Sequence, residues 1–587
     1  MHQTTESPPP IARRDFLNGV AVSALAGWSA ALSPRQAFAL GGTNPEQRWG
    51  GNDTPTYEVA HALRDGAFSD VGNARDTGEL HDVVIVGGGL SGLTAAAALD
   101  RLGPESLKIL VLENHPLPGG AARTDLFEVG GKRLLAPQGS IVFQVPTPGL
   151  AASEPVAALL AELLPDGESY EVPHMDRGFG IVLPDAVSGG SRLYKSLFEA
   201  PIPEDVRNGY FAFLEESAGL YADEEWPRKL EALDGQSFAE YVTDRGWSPA
   251  VYEWMVPELA NFYGLPDRVS AAAVWRQYGG GPPQIRSFPG GNAALAIALL
   301  RSLWPGSIHK RSGINEHVSD LFDFDALRSA PGGRSLRLGA TAVHVKHAGN
   351  PATAEAVDVT YSRNGKLETV HARAVIMAGG AFVTRHVVRD LTEAKAAALG
   401  RFIYAPVVWA NVALRNAAAL DKADPPFMTI LSGRRASLLV AYDKMNTAGW
   451  AEHRDPARPV AVGLSIPYFF PGEPAQAQAV KGRHELLTAP FSLFETAIRD
   501  DLTAVFGPYG FNDRRDIAAF SVSRWGHGYM LPDPGLLSGP ERRLAAVPQG
   551  RIAYAHTDLD GFCHVTGAAG QGYRAAEDAL KILDSGR

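Results

Sequence analysis

Cysteine is almost absent: Cys563 is the single one in 587 residues, so no intrachain disulfide can form and neither a CxxCH haem attachment nor a cysteine-rich metal site is possible. The sixteen histidines show no HExxH or similar spacing, which argues against a metal. Basic blocks are also missing. The net charge is −11, and an acidic chain without a lysine or arginine cluster is a poor nucleic-acid binder. No segment reaches the roughly eighteen uninterrupted apolar residues of a membrane span. Repeats and low-complexity stretches are lacking too. What remains is an ordinary globular composition, 45% hydrophobic and 20% charged, in a chain long enough for at least two domains.

The strongest positive signal runs from His81 to Glu113. An apolar run, Val83 to Val86, leads into Gly87, Gly88 and Gly89, with Gly92 three residues on; a small-residue helix and a second apolar run, Ile109 to Leu112, follow, closed by Glu113. Strand, glycine turn, helix, strand and acid in this order form the dinucleotide-binding fingerprint. Gly87 permits the turn, Gly89 lets the backbone approach a pyrophosphate, and Gly92 lets the helix pack closely on the sheet. The helix N-terminus, where Ser91 lies, offers N–H groups to phosphates, and Glu113 accepts from a ribose hydroxyl while repelling a 2′-phosphate. Alone, this stretch fits NAD as well as FAD.

Upstream, Arg13-Arg14-Asp15-Phe16-Leu17 precedes a mildly apolar stretch from Gly19 to Leu32 and the small-residue pattern Ala37-Phe38-Ala39. This resembles a twin-arginine signal over residues 1–39, which implies export to the bacterial periplasm through the twin-arginine machinery. Residues 40–80 read as an arm with one helical piece, Tyr57 to Arg64. Downstream, Pro118-Gly119-Gly120-Ala121-Ala122-Arg123 supplies a second glycine loop. From 151 to 285 the pattern turns helical and aromatic: Trp247, Tyr252, Trp254, Phe262, Tyr263, Trp275 and Tyr278 interleave with Glu253 and Glu258, a set able either to enclose an organic cation or to form helix core. Asn292 is placed to cap a helix from Ala293 to Leu303. Strands are expected over Leu336 to Val345, Ala356 to Tyr361 and Val370 to Met377, with a hairpin turn at Arg363-Asn364-Gly365, and a helix over Ala489 to Phe506. Near the end, the strand Arg551 to Ala555 precedes Asp558 and a glycine-rich segment, Gly567 to Gly572, that opens a final helix.

These pieces resemble the FAD-dependent amine oxidoreductases, and within them the bacterial spermidine dehydrogenase group. The resemblance is carried by RRDFLNGVAV, EVAHALRDG, the fingerprint with its GGAART continuation, FPGGNAALA, NVALRN, RWGHGY and GQGYRAAEDAL. It implies an α/β flavoprotein with two dinucleotide-binding-type domains. A discontinuous Rossmann-like FAD domain would cover 81–150, 286–400 and 541–587, and an inserted α+β substrate domain 151–285 and 401–540. It implies that Gly87, Gly89, Ser91 and Gly92 hold the FAD pyrophosphate with Gly120 and Arg123 beside it, and Glu113 the adenosine ribose. Gln138, Gly139 and Ser140 would border the flavin, the strand of Val343 would pass the adenine, and Asp558, Gly567 and Ala568 would meet the ribityl chain and pyrophosphate. Where relatives carry a tyrosine before the last glycine helix, this chain has Phe562-Cys563-His564.

The implied reaction removes a hydride equivalent from the carbon beside the nitrogen of a polyamine or related amine and delivers it to flavin N5, leaving an imine for water to hydrolyse. His527 and His564 are the candidate polar groups at the ring, with Trp525 and Tyr529 as walls. Cys563 is expected to be a small buried thiol, with a covalent flavin bond as the rarer fate. The electron acceptor is open among oxygen, a quinone and a cytochrome. Two competing readings are a flavin dehydrogenase or desaturase acting on a C–C or C–O bond, and a flavin electron-transfer protein without turnover.

Overall fold

In a computed structural model, the structure describes residues 47–585 apart from 53, 145–153, 164–169, 172–178, 186–189, 197, 221–222, 280–284, 289, 309–317, 329–332, 432–434 and 445–454. The signal expected over residues 1–39 lies outside the described residues.

Two large mixed sheets organise the α/β fold. In the first, the strands run in the order Arg334–Arg337, Ile109–Leu112, Arg75–Val86, Lys366–Met377, Val357–Arg363 and Thr341–His347, with Ile552–Tyr554 joined to Lys366–Met377. The first four and Ile552–Tyr554 are parallel; the remaining two return antiparallel. Val83 to Val86 and Ile109 to Leu112 are buried throughout, which is why they are continuous apolar runs rather than alternating ones. One face packs on the helix Leu90–Leu102, the helix Ala293–Leu303 and the C-terminal helix Val565–Ser585 in a single apolar cluster. Each large aliphatic side chain buried there contributes about 1.5–3 kcal/mol.

The expected strand from Leu336 to Val345 is in fact two. Arg334–Arg337 pairs parallel with Ile109–Leu112, whereas Thr341–His347 pairs antiparallel with Val357–Arg363. A continuous apolar pattern hides the break because both strands are buried in the same sheet. The hairpin turn is present, with Asn364 and Gly365 at φ of 51° and 72°, the two left-handed residues a type I′ turn needs. The parallel strand begins at Arg75, inside the stretch read as an arm.

The second sheet runs Gln47–Gly51, Ile517–Leu531, Ile403–Leu414, Val460–Pro467, Leu438–Ala441, Phe427–Ile430, Phe179–Asp185 and Gly190–Tyr194. Its N-terminal edge is therefore also part of the supposed arm, pairing Gln47–Gly51 with Phe520–Arg524. The helix Thr54–Arg64 then bridges to the first sheet. Helices Ala475–Thr488 and Phe491–Phe506 flank this sheet, the latter burying Phe494, Ile498 and Leu502 against it. It starts at Phe491 rather than Ala489 because Pro490 takes the cap position. A third layer of helices, among them Glu204–Ser217, Phe238–Asp244, Ala250–Tyr263 and Ala271–Tyr278, carries the aromatic set. Among the described residues, no helix is long and apolar enough to cross a membrane.

Candidate functional site

The fingerprint folds as its residue types dictate. Gly87 takes a φ of 118°, turning the chain off its strand. At Gly92 a Cβ would lie 1.9 Å from the Gly87 carbonyl oxygen, so only glycine allows the helix to start this close to the strand. Gly89 is the N-cap of the helix Leu90–Leu102 and no side chain caps it, which leaves the first N–H groups for a ligand. Gly120 faces Gly89 backbone to backbone, 3.6 Å from the place of a Cβ. Glu113 is buried and accepts from Gly88 N–H at 2.7 Å and His115 N–H at 2.8 Å. Burial raises its carboxyl above the ordinary range, opposed by those two bonds. The C-terminal helix crosses the fingerprint helix at Gly572, where a Cβ would lie 2.3 Å from the Ser91 carbonyl oxygen.

A second group of the expected residues meets at the rim of the other sheet. Arg123 donates to Gly51 O at 2.8 Å, and its guanidinium lies 5.4 Å from the Trp525 ring centroid. Trp525 donates through Nε1 to Gln138 O at 2.6 Å, and a Cβ on Gly139 would lie 3.2 Å from that nitrogen. Gln138 donates to Asp125 at 2.7 Å, and Asn411 donates to the other Asp125 oxygen at 2.7 Å. Asn411 accepts from Tyr442, which in turn accepts from Trp409. Asn292 does stand at its helix N-cap, but it does not cap: its amide donates to Ser140 Oγ at 2.9 Å and Val142 O at 2.8 Å, pinning the 138–142 loop instead.

The third group surrounds Asp558. Its carboxylate accepts from Tyr404 OH and from Ala381 N–H at 3.3 Å, while its own backbone N–H donates to His556 Nδ1 at 3.3 Å. Gly567 and Ala568 sit in the first turn of the C-terminal helix, which begins at Val565, two residues ahead of the glycine segment. Val343 is fully buried and is the extra residue of a β-bulge, its carbonyl taken by Arg389 at 3.1 Å. The structure does not bring its side chain to the other expected residues.

The four candidates for the reacting end separate. Between Ala405/Tyr529 and Val407/Trp525 the Ile517–Leu531 strand carries two more residues than its partner, so Gly526-His527-Gly528 bulges from the sheet. His527 stacks on Phe382 with ring centroids 3.9 Å apart and meets Tyr404 edge-on at 5.7 Å. Burial, and next the charge of Arg483, drives its imidazole down to about 3. His564 instead stacks on Phe562 at 3.6 Å, held well below its ordinary value by burial and Arg276. Phe562 packs edge-on against Tyr263 at 5.5 Å. Tyr529 lies against Gly264, its hydroxyl raised by burial. Cys563 is not buried as expected: it is exposed, yet desolvation pushes its thiol up to about 12. Its Sγ accepts from Met530 N–H at 3.2 Å.

Sequence reasoning missed Tyr404 and the Asp125–Asn411 link. Asn411 stood out as a polar residue within an apolar strand, which was the available signal; Tyr404 gave none, since only the packing of its strand, Ile403–Leu414, beside the distant turn Thr557–Asp560 brings it to Asp558.

Residues 85–163 match the family description NAD(P)-binding Rossmann-like domain. No curated protein matches the sequence significantly. Among solved structures, a putrescine oxidase variant made to redesign cofactor binding superposes with a TM-score of 0.58 at 18% identity, over 86% of this chain and 99% of that one. Wild-type putrescine oxidase bound to putrescine gives 0.53 at 17% over the same shares. Cyclohexylamine oxidase from Brevibacterium oxydans gives 0.57 at 15%, again over 86% and 99%. At these identities the likeness establishes the fold: a Rossmann-like dinucleotide-binding unit set in the architecture these amine oxidases share.

Proposed function

We propose that this chain is an FAD-dependent oxidoreductase that oxidises the C–N bond of a polyamine or related amine, exported to the periplasm by the twin-arginine route. The observation that carries the proposal is the neutrality of the wall beyond the glycine loops. His527 and His564 are both held unprotonated, and Tyr404 and Tyr529 keep their protons. An amine loses its own proton more readily where the surroundings are dry.

The residues present fit FAD. The uncapped Leu90–Leu102 helix start receives the pyrophosphate, Glu113 the adenosine ribose, and Asp558 the ribityl hydroxyls. The Gln138–Ser140 loop, fixed by Trp525 and Asn292, borders the ring. When bound, FAD supplies the acceptor for the hydride equivalent. The chain supplies position: Trp525 fixes the 138–140 loop, and the His564–Phe562–Tyr263 stack forms an apolar side that excludes water. Neutral His564 adds no positive charge beside the substrate nitrogen, whose proton leaves to solvent before oxidation. A quinone or cytochrome is the proposed acceptor of the electrons.

Anaerobic addition of spermidine, 1,4-diaminobutane and a panel of monoamines to the purified flavoprotein tests this reading. Bleaching of the oxidised flavin band by an amine is expected. An unchanged spectrum across the panel overturns the reading.

A further inference from the structure

In a chain of net charge −11, one place gathers cations with too few counter-ions. Three helices meet at the bulge Gly526-His527-Gly528, and each brings an arginine to it. The helix Thr54–Arg64 carries His61 and Arg64 in its last turn, Ala381–Val387 carries Arg385 and His386 in its last turn, and Ala475–Thr488 carries Arg483. The Cδ of Arg483 lies 3.8 Å from the place of a Cβ on Gly526. The groups whose charge acts most on His527 are Arg483, His61, Arg385 and Arg64, and those acting on Arg483 are Arg385 and Arg64. Arg64 also acts on His386, which accepts from Arg385 Nε at 3.3 Å.

The set is rich in donors and poor in acceptors. Arg64 pairs with Asp65 at 2.7 Å. Arg483, half-buried, gives one N–H to Tyr404 O at 2.9 Å, and among the described residues no carboxylate pairs with Arg483 or Arg385. Neutral His527 keeps one N–H, yet its ring contacts are Phe382 at 3.9 Å and Tyr404 at 5.7 Å, and neither ring nitrogen finds a hydrogen-bond partner among the described residues. A guanidinium keeps its proton near neutral pH, so the three charges persist together. Basic residues in the last turn of a helix answer its dipole, which accounts for Arg64 and Arg385 taken singly. It does not account for Arg483 in the middle of its helix, nor for the convergence of all three. Each of the two helix ends offsets about half a charge and Asp65 a whole one, so roughly one positive charge stays unbalanced.

We propose that Arg483 and Arg385, with the His527 N–H between them and Phe382, bind an oxyanion, the carboxylate or phosphate group of a small ligand, at a site separate from the pyrophosphate cradle of Gly87 to Gly92. An oxyanion supplies the acceptors these donors lack, and a guanidinium fork takes such a group through two parallel N–H bonds. Arg64 adds attraction from its exposed position beside them. The site adjoins the cofactor cradle through one residue: Tyr404 accepts from Arg483 with its carbonyl and donates to Asp558 with its hydroxyl. Oxyanion binding here is independent of the amine-oxidising reading and holds whichever substrate the flavin oxidises.

Calorimetry on the FAD-loaded protein in a chloride buffer, with inorganic phosphate and acetate as separate probes, tests the site. Saturable binding of one equivalent is expected for at least one probe, and the preferred probe names the group as phosphate or carboxylate. Affinity is expected to fall at least about tenfold in Arg483→Gln and about threefold in Arg385→Gln, the loss of a charge-assisted bond at a half-buried and at an exposed position. Arg483→Lys keeps the charge without the fork and is expected to fall between wild type and Arg483→Gln. Absence of saturable binding by either probe, or binding unchanged in both glutamine variants, overturns the proposal. An equal loss in Arg101→Gln, an exposed arginine paired with Glu162, shows a general charge effect and overturns it too. Binding to the FAD-free protein that FAD abolishes gives the site to the cofactor's own phosphates and likewise overturns it. Should Arg483→Gln not fold, Arg385→Gln carries the test alone.

Discussion

The two ends of the site are built from different material. At the fingerprint the polar surface is backbone: uncapped N–H groups on the helix Leu90–Leu102, set by Gly87, Gly89 and Gly92, with Glu113 as the one fixed charge. Around the other expected residues the contacts are side chains from distant segments: Tyr404 with His527, and Phe562 with His564. Backbone groups recognise what every dinucleotide has in common, and a short contiguous motif suffices for that. Side-chain contacts of this kind each depend on packing that a change elsewhere can shift.

The largest effect expected from breaking this contrast is at Gly92. Gly92→Val drives a side chain into the Gly87 carbonyl, which a backbone-built site has no means of absorbing; the purified variant is expected to show no flavin absorbance, or to be insoluble. Gly400→Ala is the matched control. It sits at a helix end with open space around it, and its midpoint in urea is expected to stay within about 0.5 kcal/mol.

Next in size is Asp558→Ala, which strips the acceptor from Tyr404 and Ala381 N–H together. A loss of roughly 3 kcal/mol is expected from urea unfolding at constant m. Then comes His527, whose folded value lies near 3, below the 6.5 of the unfolded chain. A depressed folded value means that the unfolded state binds the proton first. Stability is therefore full above pH 6.5 and falls as the pH drops toward 3, by about 2 kcal/mol down to roughly pH 5. Thermal melts against pH should show this slope in the wild type and lose it in His527→Asn. Arg483→Gln, which removes the largest charge acting on the ring, should raise the folded value and so shorten the slope from its low-pH end. The smallest effect is Trp525→Phe, which loses the Nε1 bond to Gln138 O and keeps most of the ring: about 1 kcal/mol, read by urea unfolding.

The glycine loops, the strands around them and the helix cap positions were legible because local physics decides them. Val83 to Val86 cannot be other than a buried strand before three glycines, and Asn364-Gly365 cannot be other than a tight turn. Where local and tertiary demands competed, the sequence misled. Asn292 has the chemistry of a cap, yet its amide is used by Ser140 and Val142. The run from Leu336 to Val345 has one apolar pattern and two pairing partners. Cys563 has the size of a core thiol and is exposed.

The sequence by itself determined that a dinucleotide binds at Gly87 to Gly92, because that requirement is written into the backbone of one continuous segment. Only the tertiary structure decided which side chains share the reacting end. A bulge of two extra residues set His527 on Phe382. The packing of two helices brought Tyr278 to Glu258. Neither follows from spacing along the chain, since both depend on strands and helices far apart in sequence meeting in one place.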